Sequence, residues 1–237
     1  MPATEMPDSH ITMVELGGAS QLSLLVRRAF DMAMEEQSRL QAPLFDVRGF
    51  SGRKFRMFLH NLCSIVPQPR YLEIGVFCGG SFIPAIYDND VTATALDNWS
   101  WEGANLTLFK EYLAKFGGRA NVNILEADFK TTDFTKIGSY NIMFYDGSHN
   151  ENDQRDGVKL PVPAMDHDYI VIVDDWNWDH VRRGTFRGLR EANCTINNSI
   201  EVRIKTDPTS KHNLPTIHGP SSEWHNGMFV AVVSKLK

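Results

Sequence analysis

Residues 71–81 read Tyr71-Leu72-Glu73-Ile74-Gly75-Val76-Phe77-Cys78-Gly79-Gly80-Ser81: a short apolar run, an acid, a glycine-rich turn and a serine. The run has the continuity of a strand buried on both faces, and Ser81 is placed to cap a following helix. Gly75 and Gly79 give the turn a backbone that can approach a ligand closely, and the helix start presents unpaired N–H groups. In an open α/β sheet this first strand–helix turn lies at the crevice outside the carboxyl ends of the strands, where ligands bind. The glycines are not spaced as G-x-G-x-x-G and no Gly-Lys-Ser or Gly-Lys-Thr follows, so neither a dinucleotide fingerprint nor a P-loop is present.

Downstream, short apolar runs alternate with helical stretches. The strand candidates are Tyr71–Ile74, Ala93–Leu96, Val122–Leu125, Ile142–Tyr145, Tyr169–Val173, Ile200–Lys205 and Met228–Ser234. Helices are expected near Ser81–Tyr87, Gly103–Phe116 (stopped by Gly117-Gly118), Asn152–Leu160 and His180–Asn193. This alternation predicts a doubly wound, Rossmann-like α/β fold with a seven-stranded, mostly parallel sheet. Only the polar stretch Asp207–Asn226 separates the last two strands, so that pair is expected to be antiparallel, with a long functional or mobile loop between. Upstream, Ser20–Gln41 and Lys54–Ile65 carry helical periodicity and stop before Pro43 and Pro67. Residues 1–69 are therefore expected to form an N-terminal helical extension, a substrate cover or a subunit interface for a homo-oligomer, on a domain spanning 70–237.

The pattern E-x-G-x-x-x-G-x-S from Glu73 to Ser81 resembles the first motif of class I S-adenosylmethionine-dependent methyltransferases, particularly the small-molecule O-methyltransferases. The resemblance implies that Glu73, Gly75, Gly79 and Ser81 border the methionine end of that cofactor. The second strand ends in Asp97, where a carboxylate can accept hydrogen bonds from both ribose hydroxyls, as in dinucleotide sites. The third ends in Glu126-Ala127-Asp128-Phe129, and the resemblance places Asp128 and Phe129 beside the adenine. Any one of these acids alone would also suit a solvated strand end, but three in register on consecutive strands favour a ligand. Trp99 and Trp101 fit either a lid over the adenine or surface packing.

The fourth strand delivers Tyr145-Asp146-Gly147-Ser148-His149 and the fifth delivers Val173-Asp174-Asp175-Trp176. Carboxylates on neighbouring parallel strands, ~5 Å apart, repel unless a cation neutralises them, and hard oxygen ligands favour Mg²⁺, Ca²⁺ or Mn²⁺. These residues resemble the metal-dependent O-methyltransferases of the catechol type and, more closely, the macrolide-sugar type. By that resemblance Asp146, Asp174 and Asp175 are metal ligands; Asp175 departs from the catechol type, which has Asn there. His149 stands where that type has a lysine. With an unperturbed pKa of ~6.5 it suits proton removal near neutrality, and it equally suits a cap on the next helix. Asp146 and His149 are thus the candidate catalytic residues, and a metal-free site holding substrate by hydrogen bonds stays open.

Other residues say less. His212, His218 and His225 read as a solvated loop or a substrate lid. Arg182, Arg183, Arg187 and Arg190 fit a solvated helix face or an anion site, and Cys78 fits tight packing. Among 237 residues, 42% hydrophobic and 22% charged, there is no disordered, collagenous or coiled-coil bias. Lys plus Arg is 24 against 29 for Asp plus Glu, a net charge of -5, which gives no basic surplus for a nucleic-acid partner. No apolar run reaches the ~18 residues of a membrane span, and Met1–His10 does not resemble a signal peptide. Three unpaired cysteines suit a reducing, cytoplasmic setting. The expected function is methyl transfer from S-adenosylmethionine to a hydroxyl of a small molecule, with a divalent metal assisting. The alternatives are an NAD(P)-dependent oxidoreductase and a non-catalytic S-adenosylmethionine-binding module.

Overall fold

The apolar runs of the sequence become the centre of one mixed sheet. The computed structural model describes residues 9–15, 20–204 and 223–236. Within these, strands β1 (Ser9–Glu15), β2 (Arg70–Ile74), β3 (Thr92–Asp97), β4 (Asn121–Glu126), β5 (Tyr140–Tyr145), β6 (Met165–Asp174), β7 (Cys194–Ile204) and β8 (Met228–Lys235) alternate with helices. The helices are α1 (Gln21–Met34), α2 (Arg53–Ile65), α3 (Phe82–Ile86), α4 (Leu106–Phe116), α5 (Glu151–Lys159) and α6 (Asp179–Glu191).

The strand order is β1-β7-β8-β6-β5-β2-β3-β4. β6, β5, β2, β3 and β4 are parallel neighbours, whereas β8 runs antiparallel to both β6 and β7. The antiparallel final pair is therefore present, but the strand number is eight instead of seven. The extra strand comes from the N-terminal segment, in which only helices were expected: β1 pairs antiparallel with β7 along its whole length, from Ser9 opposite Ile204 to Glu15 opposite Asn198.

Side chains alternate across the sheet into two apolar layers. On one face Tyr71, Ala93, Phe144, Ile172 and Val230 meet Phe30 of α1 and Phe55 and Phe58 of α2. On the other, Leu72, Met143, Tyr145, Val173 and Phe229 meet Val158 of α5 and Val181 and Leu189 of α6. The N-terminal helices are thus one of the two layers that bury the sheet, which a parallel sheet requires. Ser20 caps α1 by accepting from the Ser23 N–H at 3.1 Å, and Asn105 and Asn150 cap α4 and α5 in the same way.

The chain leaves β2 for β3 and β4 on one side and returns to β5 on the other, so the topological switch lies between β2 and β5. There the Asp146 N–H donates to the Ile74 carbonyl at 2.8 Å. Gly75, at φ +91°, lies so close that a Cβ would be driven into the Asp146 carbonyl. Only glycine fits both the conformation and the contact.

Gly157 in α5 faces the ring of fully buried Tyr145. Alanine would favour the helix by ~1 kcal/mol, but its Cβ would meet that ring, and overpacking costs ~1–3 kcal/mol. Gly157→Ala is therefore expected to lower the urea midpoint at unchanged m-value; a raised midpoint would show that the α5–β5 contact is loose.

Candidate active site

A cavity of about 670 Å³ opens at the carboxyl ends of the parallel strands and straddles the switch between β2 and β5. One end is lined by Gly75, Ser81, Asp97, Asp128 and Phe129, and the other by Asp146, His149, Asp174 and Asp175.

At the first end, Asp97 holds the glycine turn. Its Oδ2 accepts from the N–H groups of Val76 at 2.7 Å and Phe77 at 2.8 Å, and its Oδ1 accepts from Trp99 N–H at 2.7 Å. Oδ1 thus keeps further acceptor capacity, on a residue that lines the cavity. Phe77 and Trp99 both have left-handed backbones, at φ 56° and 48°. Trp99 donates its indole N–H to the Phe77 carbonyl at 2.8 Å and packs on Phe109, so it braces the turn from behind. Trp101 instead stands at the rim, two-thirds exposed, against Phe77 and Phe50.

Glu73 and Gly79 do not line the cavity. Glu73 is fully buried beneath the turn, where its Oε1 accepts from Ser81 Oγ at 2.6 Å and its Oε2 accepts from the Tyr71 hydroxyl. Burial lifts its carboxyl to about 8, against the pull of those two donors. Ser81 reaches the cavity but does not cap α3; its hydroxyl serves Glu73 instead, and α3 is only 5 residues long. Gly79, at φ +95°, is required by packing, since a Cβ would fall within 3 Å of Phe109 and Ile83.

At the second end, His149 lies between two aspartates, with Nε2 2.9 Å from Asp175 Oδ2 and 3.5 Å from Asp146 Oδ1. Burial opposes its charge, but the two carboxylates outweigh burial and hold the imidazole well above its usual range. The contact with two aspartates thus moves His149 upward from the unperturbed value assumed from the sequence. Confinement in the cleft, only partly offset by His149, raises Asp146 to about 6. Asp175 is pushed up by burial yet drawn below the ordinary range by His149, His225 and Asn226. Burial and the charges of Asp146 and Asp175 hold Asp174 well above that range, and its Oδ1 has no hydrogen-bond partner among the described residues.

Two contributions were not visible in the sequence. His225, taken there for a solvated loop residue, is buried against the cluster, with Nε2 3.9 Å from Asp175 Oδ1. Its neighbour Asn226 donates to the same oxygen at 2.7 Å. His212 and His218 lie outside the described residues. The second contribution is Arg56 of α2, buried, whose guanidinium donates to the carbonyls of Leu44, Phe45, Val47, Gly49 and Ser51. Burial lowers it to about 10, so it stays charged. It pins a loop whose Gly49 abuts Gly80, where a Cβ would sit 2.6 Å from the Gly80 Cα. Phe50 and Ser51 of that loop form a cavity wall. Arg182 and Arg183 bond to backbone carbonyls, Asp179 and Glu151, and Arg187 bonds to Glu191, so these three serve the helix surface.

The sheet order and switch-point cavity define the Rossmann-like fold of class I methyltransferases. The solved structures similar to it include a precorrin-8w decarboxylase from Methanobacterium thermoautotrophicum, 16% identical, covering 83% of this chain and 96% of that one with a TM-score of 0.53. A proposed RNA methyltransferase from Pyrococcus horikoshii, 11% identical, covers 92% of this chain and 100% of its own at 0.52. The S-adenosylhomocysteine-bound methyltransferase of Podospora anserina, 15% identical, covers 92% and 89% at 0.50. At these identities the likeness establishes the fold alone. No protein-family model and no curated protein matches the sequence.

The raised carboxyl of Glu73 makes a signed prediction. Its stabilising contribution is complete below the ordinary carboxylate value and is lost as pH rises through about 8. Glu73→Gln keeps the hydrogen-bonding shape without the charge. Urea unfolding at several pH values between 5 and 8 should show the native protein losing stability relative to the variant; a constant difference would mean Glu73 is not burdened by burial.

Proposed function

We propose that the chain is an S-adenosylmethionine-dependent methyltransferase that moves a methyl group to a hydroxyl oxygen of a small molecule with the help of a divalent cation. The observation that carries this reading is the single cavity that joins the Gly75–Asp97–Phe129 end to the Asp146–Asp174–Asp175 end. The residues at the first end suit the cofactor. Asp97 Oδ1 retains a lone pair for a ribose hydroxyl, Phe129 offers an apolar wall and Asp128 an acceptor for the adenine, and the acidic cluster suits a cationic sulfonium. Bound there, S-adenosylmethionine supplies an electrophilic methyl group.

The chain's own residues then bind, orient and deprotonate the acceptor. His149 and Asp146, in contact at 3.5 Å, are the groups that take the hydroxyl proton, and His149 also holds Asp175 at 2.9 Å. Asp146, Asp174 and Asp175 would hold the cation, which supplies polarisation of the acceptor oxygen. Asp174 Oδ1, buried and without a hydrogen-bond partner among the described residues, fits such an ion. A concave cleft of about 670 Å³ and an acidic balance of 24 against 29 favour a small acceptor over a nucleic-acid backbone.

In thermal-shift measurements S-adenosylmethionine is expected to raise the melting temperature and NAD or NADP to leave it unchanged. Stabilisation by NAD alone would replace this reading with the oxidoreductase one. With an acceptor in hand, Asp146→Asn should lower kcat by ~10²–10⁴-fold with cofactor affinity nearly intact. Unchanged turnover in that variant would remove Asp146 from the chemistry, and failure of any hydroxyl compound to yield S-adenosylhomocysteine would leave a binding module.

A further inference from the structure

Among the described residues around the acidic end, the three whose ligand atoms all lie within 4.8 Å of one another are Asp174, Asp175 and His225, and all three are buried. Asp146 is not in that set. It faces His149, whose ring stands between Asp146 and Asp175. Asp174 Oδ1, on a residue 2% exposed, lines the cavity without a hydrogen-bond partner among the described residues. Asp175 turns its Oδ1 to the same side, where Asn226 orients it at 2.7 Å. His225 Nε2 stands 3.9 Å from that oxygen. This is too long for a hydrogen bond. It is within the ~3–4 Å that separates two ligand atoms sharing one ion at ~2.1 Å.

We propose that Asp174, Asp175 and His225 form a mixed oxygen–nitrogen cation site that prefers a transition-metal ion such as Mn²⁺ or Co²⁺ over Mg²⁺. The proposal rests on the reading of the acidic end as a cation site and changes both its ligand set and its preferred ion. An imidazole nitrogen raises affinity along the first-row series, whereas Mg²⁺ is held best by oxygen alone and keeps much of its water. Two further observations agree. Asp175 and His225 both hold left-handed backbones, at φ 57° and 50°, a strain that persists where surroundings over-determine it. The Asp175–Asn226 hydrogen bond is the outer-shell support that orients a ligating carboxylate. His225 also belongs to Glu223–Asn226, the turn that leads into β8. The ion would therefore tie the end of β6 to the start of its neighbour β8.

The test uses the full chain stripped with EDTA and titrated calorimetrically with MnCl₂, CoCl₂ and MgCl₂; S-adenosylmethionine is titrated separately without metal. Mn²⁺ and Co²⁺ are expected to bind more tightly than Mg²⁺ by about tenfold or more. His225→Ala should weaken Co²⁺ by about tenfold or more while leaving Mg²⁺ little changed. His225→Gln serves as the second variant, with near-ultraviolet circular dichroism to verify the fold of each. Pulsed EPR of the Mn²⁺ complex should show nitrogen coupling in the native protein that disappears in His225→Gln. Equal affinities for all three ions, or Co²⁺ affinity unmoved in both His225 variants, overturns the mixed site and leaves the oxygen-only cluster. Nitrogen coupling that persists in His225→Gln but vanishes in His149→Gln assigns the ligand to His149 and overturns it too. If no divalent ion binds while S-adenosylmethionine does, both the mixed site and metal assistance fall and the cofactor reading survives.

Discussion

The approach of Gly75 to the Asp146 carbonyl governs the molecule. Two loops leave neighbouring strands at the switch point and press together where no side chain fits between them, with the Asp146 N–H bonded to Ile74. Because the loops touch, the turn held by Asp97 and the cluster around His149 share one cavity instead of forming two separate clefts. Most of the geometry beyond this point supports that contact. Asp97 fixes the turn from one side, Glu73 and Ser81 fix it from beneath, and Phe77 and Trp99 are held in left-handed conformations around it.

The acidic end tolerates its own charge because part of the neutralisation is internal. His149 is drawn into its charged form by Asp175 and Asp146, and Asp175 is kept ionised in return. Asp174 is held toward its neutral form by burial and by the charges of Asp146 and Asp175, which outweigh the Asp175 N–H and His149. Three carboxyls adjacent in space thus have three different environments, set by burial and by the donors and charges each one meets.

Much of this was legible in the sequence, for identifiable reasons. Fully buried strands read as unbroken apolar runs, and acids that follow them fall at carboxyl ends by necessity, so the strand-end positions of Asp97, Asp128, Asp146, Asp174 and Asp175 are legible in the residue pattern. What a side chain does after arriving is another matter. Glu73 and Gly79 sit in the recognised turn, yet one faces inward to Tyr71 and Ser81 and the other toward Phe109 and Ile83. Periodicity along a single element cannot report such choices. β1 went unseen because seven residues paired on one edge only carry no continuous apolar run, and their partner β7 is far along the chain. His225 was hidden because its position depends on the β8 register, and Arg56 because its acceptors are backbone carbonyls that leave no trace in residue type.

The Arg56 bonds have a thermodynamic consequence. Leu44, Phe45, Val47, Gly49 and Ser51 are tied to α2, α2 covers one face of the sheet, and the same loop walls the cavity through Phe50 and Ser51. Occupancy of the cavity and folding of the N-terminal layer are therefore linked equilibria: whatever fills the one must stabilise the other by mass action. The described residues 20–69 thus share their free energy of folding with the site.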